Sequence, residues 1–124
     1  MIAADTSALS AFFKGEEGAD VRLIQAALET RSICLCPLVV TEMLSDPLAQ
    51  KTMMETVVDF PLLPILDGYW IRAGDARRLL RKNGLKAKVA DTLIAQSCLD
   101  NDVSLITRDD DFRHFAKYCG LKLA

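Results

Sequence analysis

The chain has little of what soft-metal chemistry needs. It holds one histidine, His114, and its four cysteines (Cys34, Cys36, Cys98, Cys119) contain no C-x-x-C pair. That spacing gives no basis for a tetrahedral zinc set. The cysteines read instead as small, buried, apolar side chains of a reducing compartment, with Cys34 and Cys36 on one face of a strand. Long apolar runs are missing too. The longest, such as Cys34-Leu35-Cys36-Pro37-Leu38-Val39-Val40, falls far short of a bilayer, and the N-terminus lacks a basic segment followed by an apolar one. A cytoplasmic protein without a membrane span is therefore expected. There is no repeat, polar low-complexity stretch or linker. What remains is a globular composition, 51% hydrophobic and 26% charged over 124 residues, enough to bury one core without disulfides. Residues 1–124 are read as a single domain.

Apolar runs and helical periodicities alternate along the chain. Met1 to Ala4 reads as a first strand, followed by the helix-capping cluster Asp5-Thr6-Ser7 and a short helix through Phe12 and Phe13 that ends near Gly15. Gly18 to Glu29 places Val21, Ile24, Ala27 and Leu28 at helical spacing, and Ser32 to Cys36 is a second strand closed by Pro37. Leu38 to Ser45 and Pro47 to Asp59 read as two helices, with Pro47 in the first turn of the second. Leu62 to Leu66 is a third strand, and Asp67 is placed as the cap of a long amphipathic helix that stops at Gly84. Lys88 to Leu99 is a further helix, Val103 to Ile106 a fourth strand, Asp109 to Cys119 a last helix and Leu121 to Leu123 a fifth strand. Strands alternating with helices predict an α/β/α sandwich around a central parallel sheet of four to five strands.

In such a sheet Asp5 and Asp109, each following a strand, lie at the carboxyl edge, where open α/β sheets bind ligands. Glu42 falls about one turn beyond the second strand. Asp91 lies in the first turn of a helix that runs antiparallel to its strand, which returns it to the same edge. Taken singly, each acid has an ordinary role as a helix cap or a solvated residue. Together they repel, and such a cluster persists most naturally around a cation. Oxygen donors alone favour Mg²⁺ or Mn²⁺.

The same residues carry a family resemblance. Ile2-Ala3-Ala4-Asp5-Thr6-Ser7, Thr41-Glu42, Ala90-Asp91-Thr92-Leu93-Ile94-Ala95 and Leu105-Ile106-Thr107-Arg108-Asp109-Asp110-Asp111-Phe112 together resemble the motifs of PIN domains, most closely the short VapC-type ribonuclease toxins of toxin–antitoxin pairs. The T-x-D-x-D-F motif is the most specific of them, and the likeness spans essentially the whole chain. The resemblance implies a metal-dependent endoribonuclease with Asp5, Glu42, Asp91 and Asp109 as catalytic acids. It makes Asp5, Asp91 and Asp109 metal ligands, adds Asp111 as a further or outer contact, and gives Ser7 and Thr107 as polar helpers. Asp110 occupies a variable position in that motif and competes with its neighbours. Products with a 5′-phosphate and a 3′-hydroxyl, a cognate antitoxin and a homodimer are also implied.

Metal-assisted phosphodiester hydrolysis needs a cation to orient and acidify water, and no histidine is placed by motif as a general base. His114 reads as a packing or surface residue of the last helix. An acidic protein (pI near 5.3) that cuts a polyanion needs local positive charge, and Arg72 to Lys88 supply seven bases against one acid, a local +6. Arg81, Lys86, Lys88 and Arg108 are the candidate RNA contacts. The alternative is a solvated helix face, because the bases do not all share one stripe. Phe12, Phe13, Leu48, Met53, Met54, Val57 and Val58 exceed what a small sheet face covers, and read either as core or as a partner surface. Two rival functions stand beside the nuclease. One is a receiver-type signalling module phosphorylated on Asp67, which lacks the second acid after strand one and the proline after Lys122. The other is a non-catalytic PIN-like RNA-binding domain.

Overall fold

The computed structural model describes residues 1–124. Three short parallel strands, β1 (Ile2–Ala4), β2 (Ile33–Cys34) and β3 (Ser104–Ile106), form a sheet in the order β2-β1-β3. Helices α1 (Thr6–Phe13) and α2 (Ala19–Glu29) connect β1 to β2. Helices α3 (Pro37–Leu44), α4 (Lys51–Asp59), α5 (Tyr69–Lys82) and α6 (Val89–Asp100) intervene before β3, and α7 (Phe112–Cys119) follows it. The chain leaves β1 toward β2 and later returns on the other side of β1. With right-handed crossovers that reversal sends the helices to opposite faces and opens a crevice at the carboxyl end of β1.

The sheet has three strands where four to five were predicted. The missing two survive as single parallel bridges at the edges, Leu35 with Leu62 and Leu105 with Leu123. Leu62 sits between Pro61 and Pro64, and proline cannot donate to a ladder, so pairing there stops after two hydrogen bonds. Near the other edge Gly120 turns the chain with φ 80°, and only Leu123 reaches the register of β3.

Two helix starts also differ from expectation. Pro47 lies outside α4, because the Asp46 carboxylate accepts the Leu48 amide at 2.9 Å and closes a local turn that competes with a helix. Asp67 does not cap α5. Gly68, at φ 82°, is the residue before the helix, and Asp67 offers its carbonyl to Arg72 at 2.8 Å. The last helix begins at Phe112, with Asp109 to Asp111 in a turn ahead of it.

The core lies on both sides of the sheet and is lined by Leu9, Ile24, Leu35, Val39, Leu80, Ile94, Leu105 and Phe115. Cys34, Cys36 and Cys98 are buried free thiols within it. Arg72 of α5 makes a two-pronged pair with Asp100 of α6 (2.9 and 2.6 Å), and Gln96 adds a third bond to the same carboxylate. Of the seven apolar residues singled out in the early helices, Val57 is buried and Phe12, Phe13, Met53 and Met54 are half-buried, which leaves Leu48 and Val58 exposed. Apolar exposure concentrates instead around the start of α5, at Ile65, Leu66, Trp70 and Ile71. No helix is long and apolar enough to cross a membrane.

Candidate metal centre

Asp5 ends β1 and caps α1 in one stroke. Its Oδ1 accepts the Ala8 amide at 2.9 Å, the N-cap bond that starts the helix. The Ser7 hydroxyl donates to both carboxylate oxygens (2.8 and 2.9 Å), and the Thr107 hydroxyl donates to Oδ2 at 2.5 Å. Because β1 and β3 are neighbours in register, Thr107, just past β3, arrives beside Asp5. Asp5 is buried, and that burial raises its pKa; the hydrogen bonds from Thr107, Ala8 and Ser7 oppose the rise, while the charge of Asp109 adds to it.

The loop after β3 is laced to this carboxylate. The Arg108 amide donates to Ser7 Oγ at 3.0 Å, the Asp109 amide to Thr107 Oγ1 at 3.0 Å and the Asp111 amide to Asp109 Oδ1 at 2.9 Å. These bonds aim Asp109 and Asp111 inward. Asp110 is exposed, 3.8 Å from Arg113, and turns away. From α6 comes Asp91, in the first turn; the Thr92 hydroxyl donates to the Lys88 carbonyl at 2.8 Å and fixes the residue that precedes the helix. Carboxylate oxygens of Asp91, Asp109 and Asp111 lie within 4.8 Å of one another. Burial and the charges of Asp109, Asp111 and Asp5 push Asp91 up to about 6, against the pull of Lys88. From α3, Glu42 accepts the Thr6 hydroxyl on Oε1 at 2.7 Å.

A cavity of about 300 Å³ joins these groups, lined by Asp5, Glu42, Asp91 and Asp109 together with Thr6, Ser7, Ser10 and Lys88. The four acids placed at the carboxyl edge from the sequence thus share one space. Asp111 joins Asp91 and Asp109 in the tightest group and Asp5 does not; its oxygens accept from Ser7, Thr107 and Ala8 beside that group. Sequence reasoning gives Thr6 only a place in the helix-capping cluster and Ser10 no role. Thr6 adjoins Asp5 and Ser7 in the chain and Ser10 lies one helical turn beyond Ser7, so the run of polar residues at the start of an otherwise apolar helix is the signal that could have found them.

The four candidate RNA contacts divide. Lys88 is the one basic residue lining the acidic cavity, Lys86 is exposed just before it, and Arg81 is exposed on α5. Arg108 is spent within the fold: it donates to both oxygens of Asp20 (2.8 and 3.0 Å), to Glu16 at 3.1 Å and to the Glu17 carbonyl at 2.9 Å. Gly18 sits beneath this clasp at φ 151°, a conformation that strains any other residue, and a Cβ there would lie 2.5 Å from Asp20 Oδ1 and 2.8 Å from Arg108 Nη2. His114 is half-buried on α7 and does not line the cavity.

Three carboxylates whose oxygens lie no farther apart than one coordination sphere is wide, no nitrogen or sulfur donor among them, and an Asp91 whose charge is unfavourable without a counter-ion form a donor set that fits a hard divalent cation. Fold and site together define a doubly wound α/β domain with an acidic centre at the strand-order reversal.

The chain belongs to the PIN domain family, whose pattern matches residues 2–118. No curated protein sequence matches it. Its fold is similar to a crystal structure of VapBC2 from Rickettsia felis bound to a DNA fragment from its promoter (TM-score 0.76, 19% identity, 100% of this chain and 98% of that one). It is also similar to FitAB bound to the IR36 DNA fragment (0.75, 20%, 100% and 94%). A third similar structure is VapBC-5, of the VapBC family of toxin–antitoxin systems, from Mycobacterium tuberculosis (0.72, 20%, 98% and 95%).

Proposed function

We propose that this PIN domain is a metal-dependent endoribonuclease, the toxin of a toxin–antitoxin pair. The observation that carries the reading is the convergence of Asp91, Asp109 and Asp111 within 4.8 Å, beside a buried, fully hydrogen-bonded Asp5. Asp91, Asp109 and Asp111 would hold Mg²⁺ or Mn²⁺, with Asp5 facing the same cavity. When bound, the ion supplies a more acidic water and neutralises charge on the scissile phosphate.

The protein's own residues do the rest. Thr107 and Ser7 fix the Asp5 carboxylate, and through the Asp109 and Arg108 amides they fix the loop that carries the other acids. Thr6 holds one oxygen of Glu42 and leaves the other to accept a proton from an attacking water. Lys88 at the cavity wall meets the incoming phosphodiester. A receiver module is disfavoured: Asp67 is exposed and follows a segment with a single bridge in place of a strand.

The antitoxin is a proposed partner, supported by the likeness to VapBC structures, and a second copy of the chain is another, for which exposed Leu48, Ile65, Leu66 and Ile71 offer an apolar surface. The test is cleavage of total RNA by the purified protein with Mg²⁺ or Mn²⁺. Cutting that EDTA and Asp5→Asn both abolish supports the nuclease. Folded, antitoxin-free protein that cuts no RNA under any of these conditions sinks it.

A further inference from the structure

Helix α5 breaks a rule of helix design. Arg77 and Arg81, and Arg78 and Lys82, are like-charged pairs four residues apart, each costing an isolated helix about 0.2–0.5 kcal/mol. Their one acidic neighbour on the helix, Asp75, pairs with Arg78 at 2.7 Å, both side chains well exposed. Cations in the last turn complement the helix C-terminus, which accounts for Arg81 and Lys82 but not for Arg77 and Arg78 a turn earlier.

The four cations share one face, and with Gly74 they line a groove of about 480 Å³ that contains no apolar side chain. Gly74 is the second anomaly. It lies in the helix interior, where glycine costs about 1 kcal/mol relative to alanine, yet a Cβ there would meet nothing within 4 Å. Nothing inside the protein needs that space. Bare backbone beside a row of cations suits the close approach of another backbone.

The face also has a direction. Arg77 Nε donates to the Ala87 carbonyl at 2.8 Å, which joins the stripe to the segment carrying Lys86 and Lys88 at the acidic cavity. Trp70, one turn before Gly74, is 66% exposed and lines the adjoining groove that Gly74 and Arg77 also line.

We infer that the α5 face from Trp70 to Lys82 is a docking track for the backbone of single-stranded RNA. Its cations contact successive phosphates, Trp70 stacks on a base, and the strand is delivered past Lys88 to the acidic centre. The inference rests on the nuclease reading for the identity of the polyanion.

Trp70 is the chain's only tryptophan, so its fluorescence reports on this face directly. The protein is titrated in EDTA with a single-stranded RNA oligonucleotide across a range of salt concentrations. It is compared with the triple variant Arg78→Gln, Arg81→Gln, Lys82→Gln, which keeps good helix formers and spares the structural Arg77. Saturable quenching is expected, with a salt slope that drops by about 2 in the variant, or about 0.7 for each phosphate no longer neutralised. Equal affinity and slope in the two proteins, or binding without any change in Trp70 emission, overturns the track and leaves the stripe to an acidic protein partner or to solvent. Cleavage of a tetranucleotide too short to reach α5 separates the two ideas. If both proteins cut it equally, the nuclease stands whatever the titration shows; if neither cuts any RNA, the nuclease fails and the EDTA titration still decides the track.

Discussion

At the carboxyl edge of the sheet, Asp5, Glu42, Asp91 and Asp109 come from four separate stretches of chain, and most are fixed by hydrogen bonds from neighbouring hydroxyls and amides. On α5, four cations come from six consecutive residues, and only Arg77 and Arg78 hold anything. The first site exists only when the whole domain is folded, because the sheet register brings Thr107 to Asp5. The second needs one helix. Charge placed by the fold is buried, costly and cooperative, whereas charge placed by local sequence is exposed, cheap and close to additive. Substitutions at the acidic centre should therefore have large, non-additive effects, and those on α5 small, additive ones.

The largest effect is expected from Asp5→Asn, which keeps the shape and removes the charge: metal-dependent cleavage falls on the order of 10³-fold while the far-ultraviolet circular dichroism is retained. Near-normal turnover would break the contrast at its strongest point. Thr107→Val comes next, since it removes a donor to Asp5 and the acceptor of the Asp109 amide together. Mn²⁺ affinity by calorimetry should weaken by about 10–100-fold. Arg108→Lys cannot serve Asp20, Glu16 and the Glu17 carbonyl at once, and roughly a tenfold loss of Mn²⁺ affinity is expected, with RNA affinity in EDTA unchanged. A fall in RNA affinity instead would return Arg108 to the substrate-binding residues.

Asp91 sharpens the comparison through pH. Its carboxyl titrates near 6 in the fold against an ordinary 3.8. The folded state therefore holds a proton that the unfolded state releases between those values, and the contribution of Asp91 to stability is present below that window and lost as pH rises through about 6. In metal-free protein, Asp91→Asn should raise the melting temperature at pH 7.5, by a stability on the order of 1 kcal/mol after solvent screening, and leave it little changed at pH 4. The smallest effect belongs to α5: Arg81→Gln alone should cost a few-fold in RNA affinity and lower the salt slope by about 0.7.

The acids were legible because each follows or precedes an apolar run whose direction fixes the edge on which it lies. Asp5, Asp91 and Asp109 could be placed by strand and helix direction alone, with Glu42 a turn further on. The clasp on Arg108 was not legible, since its acceptors Asp20 and Glu16 lie 88 and 92 residues away in sequence and nothing local marks them. The third strand failed for a local reason, the prolines on either side of Leu62-Leu63. The missed turn at Asp46 is a side chain competing with the backbone for the Leu48 amide, a contest that periodicity does not register. The basic run was visible as a count, but the separation of Arg77, Arg78, Arg81 and Lys82, which line one groove, from Arg72, which pairs with Asp100, needed the tertiary structure.

The single-residue bridges at Leu62 and Leu123 bear on how the chain behaves when concentrated. A parallel sheet with long open margins offers unpaired amides and carbonyls to any passing strand. Here the outermost pairing on either side is one residue long, and prolines flank one of the two margins. Two copies have almost no ladder to extend edge to edge, so growth into sheet-like aggregates is blunted at both ends. Any self-association of the folded protein should proceed through side-chain surfaces.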